Sequence, residues 1–459
     1  ELPALSRMRD EGGMRTITTV FPSVTGPAYA PFLMGMHPGS VGLPGLRWYD
    51  RAHAACGWPS HARSYTGPQG LRLDSDLAKD ATTIFELSDS SIGALSVIRR
   101  GLPPSRRIGG GAAFVTHAAI THFRGRVDGW LDLDRQLGDR FVARVRDERP
   151  KYAFVALTGI DKASHATGHD SPTVHGAMRV VDDVCARLRD DSERAGSWDS
   201  THLMVVSDHG HSRVSQHEDL AGFIDSLGFR VVAHPWIVRL GAQVAVAVSG
   251  NAMAHIYTGL HAHQRAFWPS LAGQWGEIAD AVLERDSVDI MLLPLSPTSC
   301  EVRARNRGHA IVQWSRSTYE YHPVSGDPLR IGEHGSINET EAYDATIDSE
   351  YPDSLVQIAR LSSCSRSGDI ILSAALEWDL RARYEPIPHV SSHGALHRQH
   401  MLVPLLSNHP IEGRARRTVD VMASTCSALG LTGARTEGVS FIEPAVTAAL
   451  SARKLPVPA

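Results

Sequence analysis

The stretch "LMVVSDHGHSRV", Leu203 to Val214, runs an apolar segment straight into Asp208, His209, a glycine and a second histidine. An apolar run of this length bounded by glycine reads as a core strand. Carboxylates and imidazoles are costly beside a core unless something pairs them, and a metal ion would pair them. "YAFVALTGID", Tyr152 to Asp161, repeats the pattern of apolar run, small residues and carboxylate. In "DKASHATGH", Asp161 and His165 are four apart, so a helical turn puts both on one face, and Asp with His is a normal ligand pair for zinc. A third cluster, "PHVSSHGALHRQHMLVPLL", sets His389, His393, His397 and His400 before another apolar run; its plainer reading is a solvated polar loop. With 24 histidines in the chain, isolated Asp and His pairs also arise by chance.

A nucleophile candidate lies in "TTVFPSVTGPAYAPFLMG". Thr25 follows a short β-like run and precedes Gly26 and Pro27, an entrance to a helix where free N–H groups favour an anion. A threonine before Gly-Pro is also an ordinary N-cap, and Pro31 blurs the start of that helix.

These residues need elements that hold them. "SPTVHGAMRVVDDVCARLRDDSERAG" opens with Ser171 and Pro172 and carries Val174, Met178, Val181, Val184 and Leu188 at helical spacing. The order strand, helix, strand predicts a parallel α/β unit, and in open parallel sheets sites form at the carboxyl ends of strands, where Asp161 and Asp208 fall. From about Phe229 to Ile347, β-like runs such as "AVAVSG", "AHIYTG" and "AIVQW" alternate with polar turns such as "RIGEHGSINETEAYDAT", which reads as an inserted cap. The core then resumes with a helix at "SLVQIARL", a strand at "DIILSAA", and a helix at "TVDVMASTCSALGL" that Gly430 would cap. The expected division is 1–228 core, 229–347 cap and 348–459 core.

Composition bounds the partners. At 459 residues and 42% hydrophobic the chain buries a large core and exceeds the size at which one core stops growing. Net charge is −4, and no basic run with interleaved aromatics tracks a nucleic-acid backbone, so no stable nucleic-acid partner is expected. Nearly all the positive charge is arginine, as in GC-rich bacterial genomes. The five cysteines are odd in number and show no C-x-x-C, so buried thiols are expected rather than disulfides or a cysteine zinc cage. No apolar run reaches the roughly 18 residues that span a bilayer.

Taken in order, Thr25 in "FPSVTGPAYAPFLMGMHPGSVGL", then "GIDKASHATGHDSP", "VVSDHG" and "HGALHRQHMLVPLL" resemble the alkaline phosphatase superfamily and, within it, the type I phosphodiesterase/nucleotide pyrophosphatase family. Four motifs in this order are far more specific than any one. The resemblance runs from about Leu2 to Phe441 and implies an α/β fold, a mostly parallel sheet flanked by helices with an inserted α+β cap. It implies two divalent ions, zinc or manganese, with Asp161, His165 and His393 holding one, and Asp208, His209 and the Thr25 hydroxyl belonging to the second. His393 is chosen because it precedes glycine in the family manner; His334, in "GEHGS", is its rival. The chemistry implied is attack by Thr25 on phosphorus, through a phosphothreonine that water then releases. Lys162 is either an attractor of anionic substrate or a solvated surface lysine.

Two departures stand out. Family members carry a further ligand Asp at the end of an early strand, whereas the only acids upstream of Thr25 are Glu1, Asp10 and Glu11, and "ALSRMRDEGG" reads as the end of a helix. The expectation is a chain that begins after that strand. The Asn expected three residues after the nucleophile is Ala28, followed by Tyr29, whose hydroxyl either substitutes as donor or packs. The expected partner is a small phosphorylated substrate, with diester or pyrophosphate hydrolysis ahead of phosphomonoester or phosphonate hydrolysis, and a non-catalytic metal- or ligand-binding protein as the reading from another class. A sulfatase is disfavoured because no C/S-x-P-x-R stands at the nucleophile. Trp48 and Tyr49 either stack on a base or pack.

Overall fold

The computed structural model describes residues 1–54, 62–235, 238–381, 389–413 and 415–442. The strand leading to Asp161, Tyr152–Val155, runs parallel to Ser91–Ala94, which is also parallel to Arg107–Ile108. The strand leading to Asp208, Met204–Val206, lies instead antiparallel to Leu402–Ser407, whose other side pairs antiparallel with Met14–Thr18. Among the described residues the two site strands are therefore in separate three-stranded sheets, each at an edge. Their side chains are half-buried throughout, where the apolar runs predicted full burial. Apolarity reports that a strand meets a core; it says nothing of whether a neighbour covers its outer edge.

The helix between them, Pro172–Arg194, starts as predicted: Ser171 Oγ accepts from the Val174 amide at 3.3 Å, and Pro172 occupies the first turn, where no intrahelical donor is needed. It buries Val174, Ala177, Val180 and Val184 and packs along the helix Val127–Glu148. The opening helix is Pro3–Glu11. Near the other end, the helix Asp420–Leu429 stops at Gly430, whose φ of +64° is the left-handed turn that glycine takes without strain.

A nine-stranded sheet occupies the other half of the molecule. It contains the predicted strands Val244–Ser249, Met253–Thr258 and Gly308–Trp314, and it takes Ile370–Ala374 between Met253–Thr258 and Val288–Ser296. The segment expected to return the chain to the core thus supplies an inner strand of this sheet. "RIGEHGSINETEAYDAT", read as polar turns, holds the strand His334–Asn338 and the helix Glu339–Thr346. The helix signal was a capping box: Asn338 accepts from the Thr340 and Glu341 amides, and the Glu341 carboxylate accepts from the Asn338 amide at 2.8 Å. Cys185, Cys300, Cys364 and Cys426 are buried thiols, while Cys56 lies outside the described residues. No helix among the described residues is long and apolar enough to cross a membrane.

Candidate metal and nucleophile site

The helix Gly159–Thr167 is the site's platform, with Asp161 in its first turn and His165 in its last. Its start is held by buried Asp134, whose carboxylate accepts from the Thr158 amide at 3.1 Å and the Gly159 amide at 2.6 Å. Burial pushes the Asp134 carboxyl up to about 6, against the pull of those two amides.

Four imidazoles converge on one oxygen. Asp161 Oδ1 lies 3.0 Å from His211 Nε2, 3.2 Å from His165 Nε2, 3.5 Å from His393 Nε2 and 4.0 Å from His209 Nε2. One ligand atom from each of Asp161, His209, His211 and His393 falls within 4.8 Å of every other. What the far nitrogens do decides the chemistry. His165 Nδ1 is 2.8 Å from the Ser391 carbonyl, His393 Nδ1 2.9 Å from the Ser23 carbonyl and His209 Nδ1 3.2 Å from the Gly210 carbonyl. His211 Nδ1 is 3.2 Å from Ser391 Oγ, whose own hydrogen goes to the Ser212 carbonyl at 2.9 Å. Each Nδ1 is therefore the donor, and each Nε2 of the neutral rings carries a lone pair. Lone pairs then face a carboxylate oxygen, which also only accepts. A cation at their centre turns this repulsion into coordination, so the donor set fits a borderline-soft divalent ion.

The electrostatics agree. Burial holds His165 down at about 4 and His211 down at about 3, so both rings are neutral at ordinary pH. Burial opposes ionisation of Asp161, yet the carboxyl is held well below its usual range, with the neighbouring Lys162 ammonium foremost among the groups that lower it. Lys162 Nζ reaches Asp161 Oδ2 at 2.9 Å, so this lysine is engaged with the ligand carboxylate.

Thr25 joins the cluster: its Oγ1 is 2.9 Å from His209 Nε2, and the lone pair there makes the hydroxyl the donor. It precedes a 3₁₀ turn, Pro27–Tyr29, and a five-residue helix, Ala30–Met34. Asp208 Oδ2 lies 3.5 Å from His209 Nε2, and the Asp208 carbonyl accepts from Thr19 Oγ1 at 2.5 Å.

All six residues singled out in the sequence, Thr25, Asp161, His165, Asp208, His209 and His393, come together here. His211 was passed over, although it is the second histidine of "DHGH" and reaches the Asp161 carboxylate as His209 does. The C-terminal histidines are not one solvated loop but have separate fates. His389 stacks on His165 with ring centres 4.1 Å apart. His400 is buried, accepts from the Ala395 amide at 3.0 Å and bonds Ser212 Oγ at 2.7 Å. His397 caps the turn Arg398–Met401. His334 sits in the nine-stranded sheet, its Nε2 on the Ile331 carbonyl. Ala28 is buried, Tyr29 packs edge-on against Phe154, and both Trp48 and Tyr49 are packed, the Tyr49 hydroxyl donating to the Leu260 carbonyl.

Comparison with known proteins accords with this arrangement. The fold matches that of human ectonucleotide pyrophosphatase/phosphodiesterase 5 (13% identity, 95% of this chain and 92% of that one, TM-score 0.55). An inactive threonine-to-alanine variant of the murine protein, in complex with AMP, matches at 15% identity over 95% and 92%, with TM-score 0.54. Phosphonoacetate hydrolase from Sinorhizobium meliloti with phosphonoformate matches at 16% identity over 94% and 90%, with TM-score 0.53. No curated protein sequence matches. The family profile for type I phosphodiesterase/nucleotide pyrophosphatase covers residues 1–396, and the chain belongs to that family of hydrolases.

Proposed function

We propose that this chain hydrolyses phosphate esters, in the first place phosphodiester or nucleotide pyrophosphate bonds, with Thr25 as nucleophile and two divalent ions, zinc or manganese. The observation that carries this reading is the meeting of Thr25 Oγ1 with a cluster of imidazole lone pairs and an ionised carboxylate. Asp161, His165 and His393 would hold one ion, with His211 added to that set by its 3.0 Å approach to Asp161; Asp208, His209 and Thr25 would serve the other. Bound there, divalent ions supply the positive charge that eases deprotonation of a hydroxyl and steadies phosphoryl oxygens. The Thr25 oxygen attacks phosphorus as the bond to the leaving alcohol or phosphate breaks, its proton going to solvent. Water then attacks the phosphothreonine in line, restoring the Thr25 hydroxyl and releasing the phosphoryl group. Lys162 keeps Asp161 ionised and oriented throughout.

The murine neighbour's complex with AMP, and its inactivation by loss of a threonine, support the diester reading; the phosphonate complex favours a phosphonate hydrolase as the second. Rates on bis-(p-nitrophenyl) phosphate, p-nitrophenyl phosphate and phosphonoacetate, measured with zinc and with manganese, separate them. No turnover of any of the three, with metal bound, would leave a non-catalytic metal-binding protein.

A further inference from the structure

The phosphoryl group also needs a donor that does not belong to the metal cluster, and neither Ala28 nor the packed Tyr29 offers the amide expected from the sequence pattern. A different group lies beside Gly26, the residue that follows Thr25. Arg47–Tyr49 and Ala62–Ser64 form a two-stranded ribbon, and Tyr65 leaves it with its amide on the Leu46 carbonyl at 3.3 Å. Its ring is laid against the residue after the nucleophile: a β-carbon built on Gly26 would stand 1.8 Å from Tyr65 Cζ and 1.9 Å from its Oη. Gly26 also holds φ at +99°, which a side chain would strain. Glycine at this position thus does two things, turning the backbone behind Thr25 and letting an aromatic hydroxyl approach it.

That hydroxyl is buried, yet among the described residues it has no hydrogen-bond partner. Native structures seldom leave a buried hydroxyl unmatched without a ligand or functional reason. Burial foremost pushes its pKa well above the ordinary value.

We infer that the Tyr65 hydroxyl donates a hydrogen bond to a non-bridging oxygen of the phosphoryl group seated at Thr25, in the role for which the sequence pattern leads one to expect an amide side chain. This rests on the hydrolase reading above. It makes Tyr65 a substrate-contacting residue and Gly26 the residue that admits it.

The test compares wild type with Tyr65→Phe, which keeps the ring against Gly26 and removes only the donor. Metal content, thermal unfolding, kcat/KM on bis-(p-nitrophenyl) phosphate and the affinity of the metal-loaded protein for inorganic phosphate are measured for both. The expected result is a roughly 10- to 100-fold fall in kcat/KM with a parallel weakening of phosphate binding, as for loss of a hydrogen bond to a charged group, while metal content and unfolding stay put. Equal kcat/KM and equal phosphate affinity overturn the inference and leave the hydrolase reading standing. If wild type hydrolyses nothing but binds phosphate more tightly than the variant, the hydrolase reading fails and the contact survives. If wild type neither turns over nor binds phosphate, both fall.

Discussion

Two buried histidines show how differently the halves of this molecule are built. His255, inside the nine-stranded sheet, is complete: its Nδ1 accepts from the Gly368 amide at 3.1 Å and its Nε2 donates to the Pro44 carbonyl at 2.9 Å. Nearby Asp369 is also engaged, by Arg51 at 2.6 Å and by the Thr258 amide and hydroxyl at 2.7 and 3.0 Å. His393 is also buried, with its Nδ1 on the Ser23 carbonyl, but its Nε2 points at another acceptor. At His255 the fold satisfies both ring nitrogens from within. The other half assembles lone pairs that only something from outside the chain can satisfy. A buried histidine is therefore structural or functional according to what its second nitrogen meets.

Substitutions can break that comparison. The largest effect belongs to the proposed nucleophile: Thr25→Ala should lower diester hydrolysis by roughly 10³-fold or more while metal content, measured by elemental analysis, stays at the wild-type value. Retained activity would remove Thr25 from the mechanism. Next, His255→Ala should cost about 2–4 kcal/mol in denaturant unfolding, because it orphans the Gly368 amide and the Pro44 carbonyl, and it should leave metal stoichiometry unchanged. His211→Ala should do the reverse. Metal affinity should fall by roughly 10- to 100-fold in a chelator competition, whereas metal-free stability should hold or rise, since one lone pair is withdrawn from a crowded centre. Equal loss of folding stability in the two variants would erase the distinction between the halves.

A pH titration tests the platform. The Asp134 carboxyl is raised from 3.8 to about 6, so the neutral form is the one folding favours. The stability tied to that preference is full below the unfolded value and is lost as pH rises through about 6. Asp134→Asn should remove this component, making unfolding free energy flatter than wild type between pH 4 and 7 by about 2–3 kcal/mol. An identical pH dependence in the variant would mean that Asp134 does not titrate there.

How much of this was legible beforehand depended on whether the signal was local. Ser171 and Pro172 opening a helix, Gly430 closing one, and the Asp161 to His165 spacing are all settled within a few residues, and the structure agrees with each. The half-burial of Tyr152–Val155 and Met204–Val206 was not legible, because edge position depends on strands distant in the chain. Nor was the role of Ile370–Ala374, which looks like any apolar strand until its neighbours are known. His211 and Tyr65 were missed for the same reason: their partners, Asp161 and Gly26, lie 50 and 39 residues away in sequence.

Residue types and their order along the chain, a threonine before Gly-Pro and carboxylates and imidazoles after apolar runs, determined membership of a family of hydrolases. Tertiary structure alone decided which histidines count. A ligand is defined by the direction of one lone pair, and that direction is set by whatever holds the other nitrogen, here the Ser391, Ser23 and Gly210 carbonyls and the Ser391 hydroxyl, brought in from across the fold.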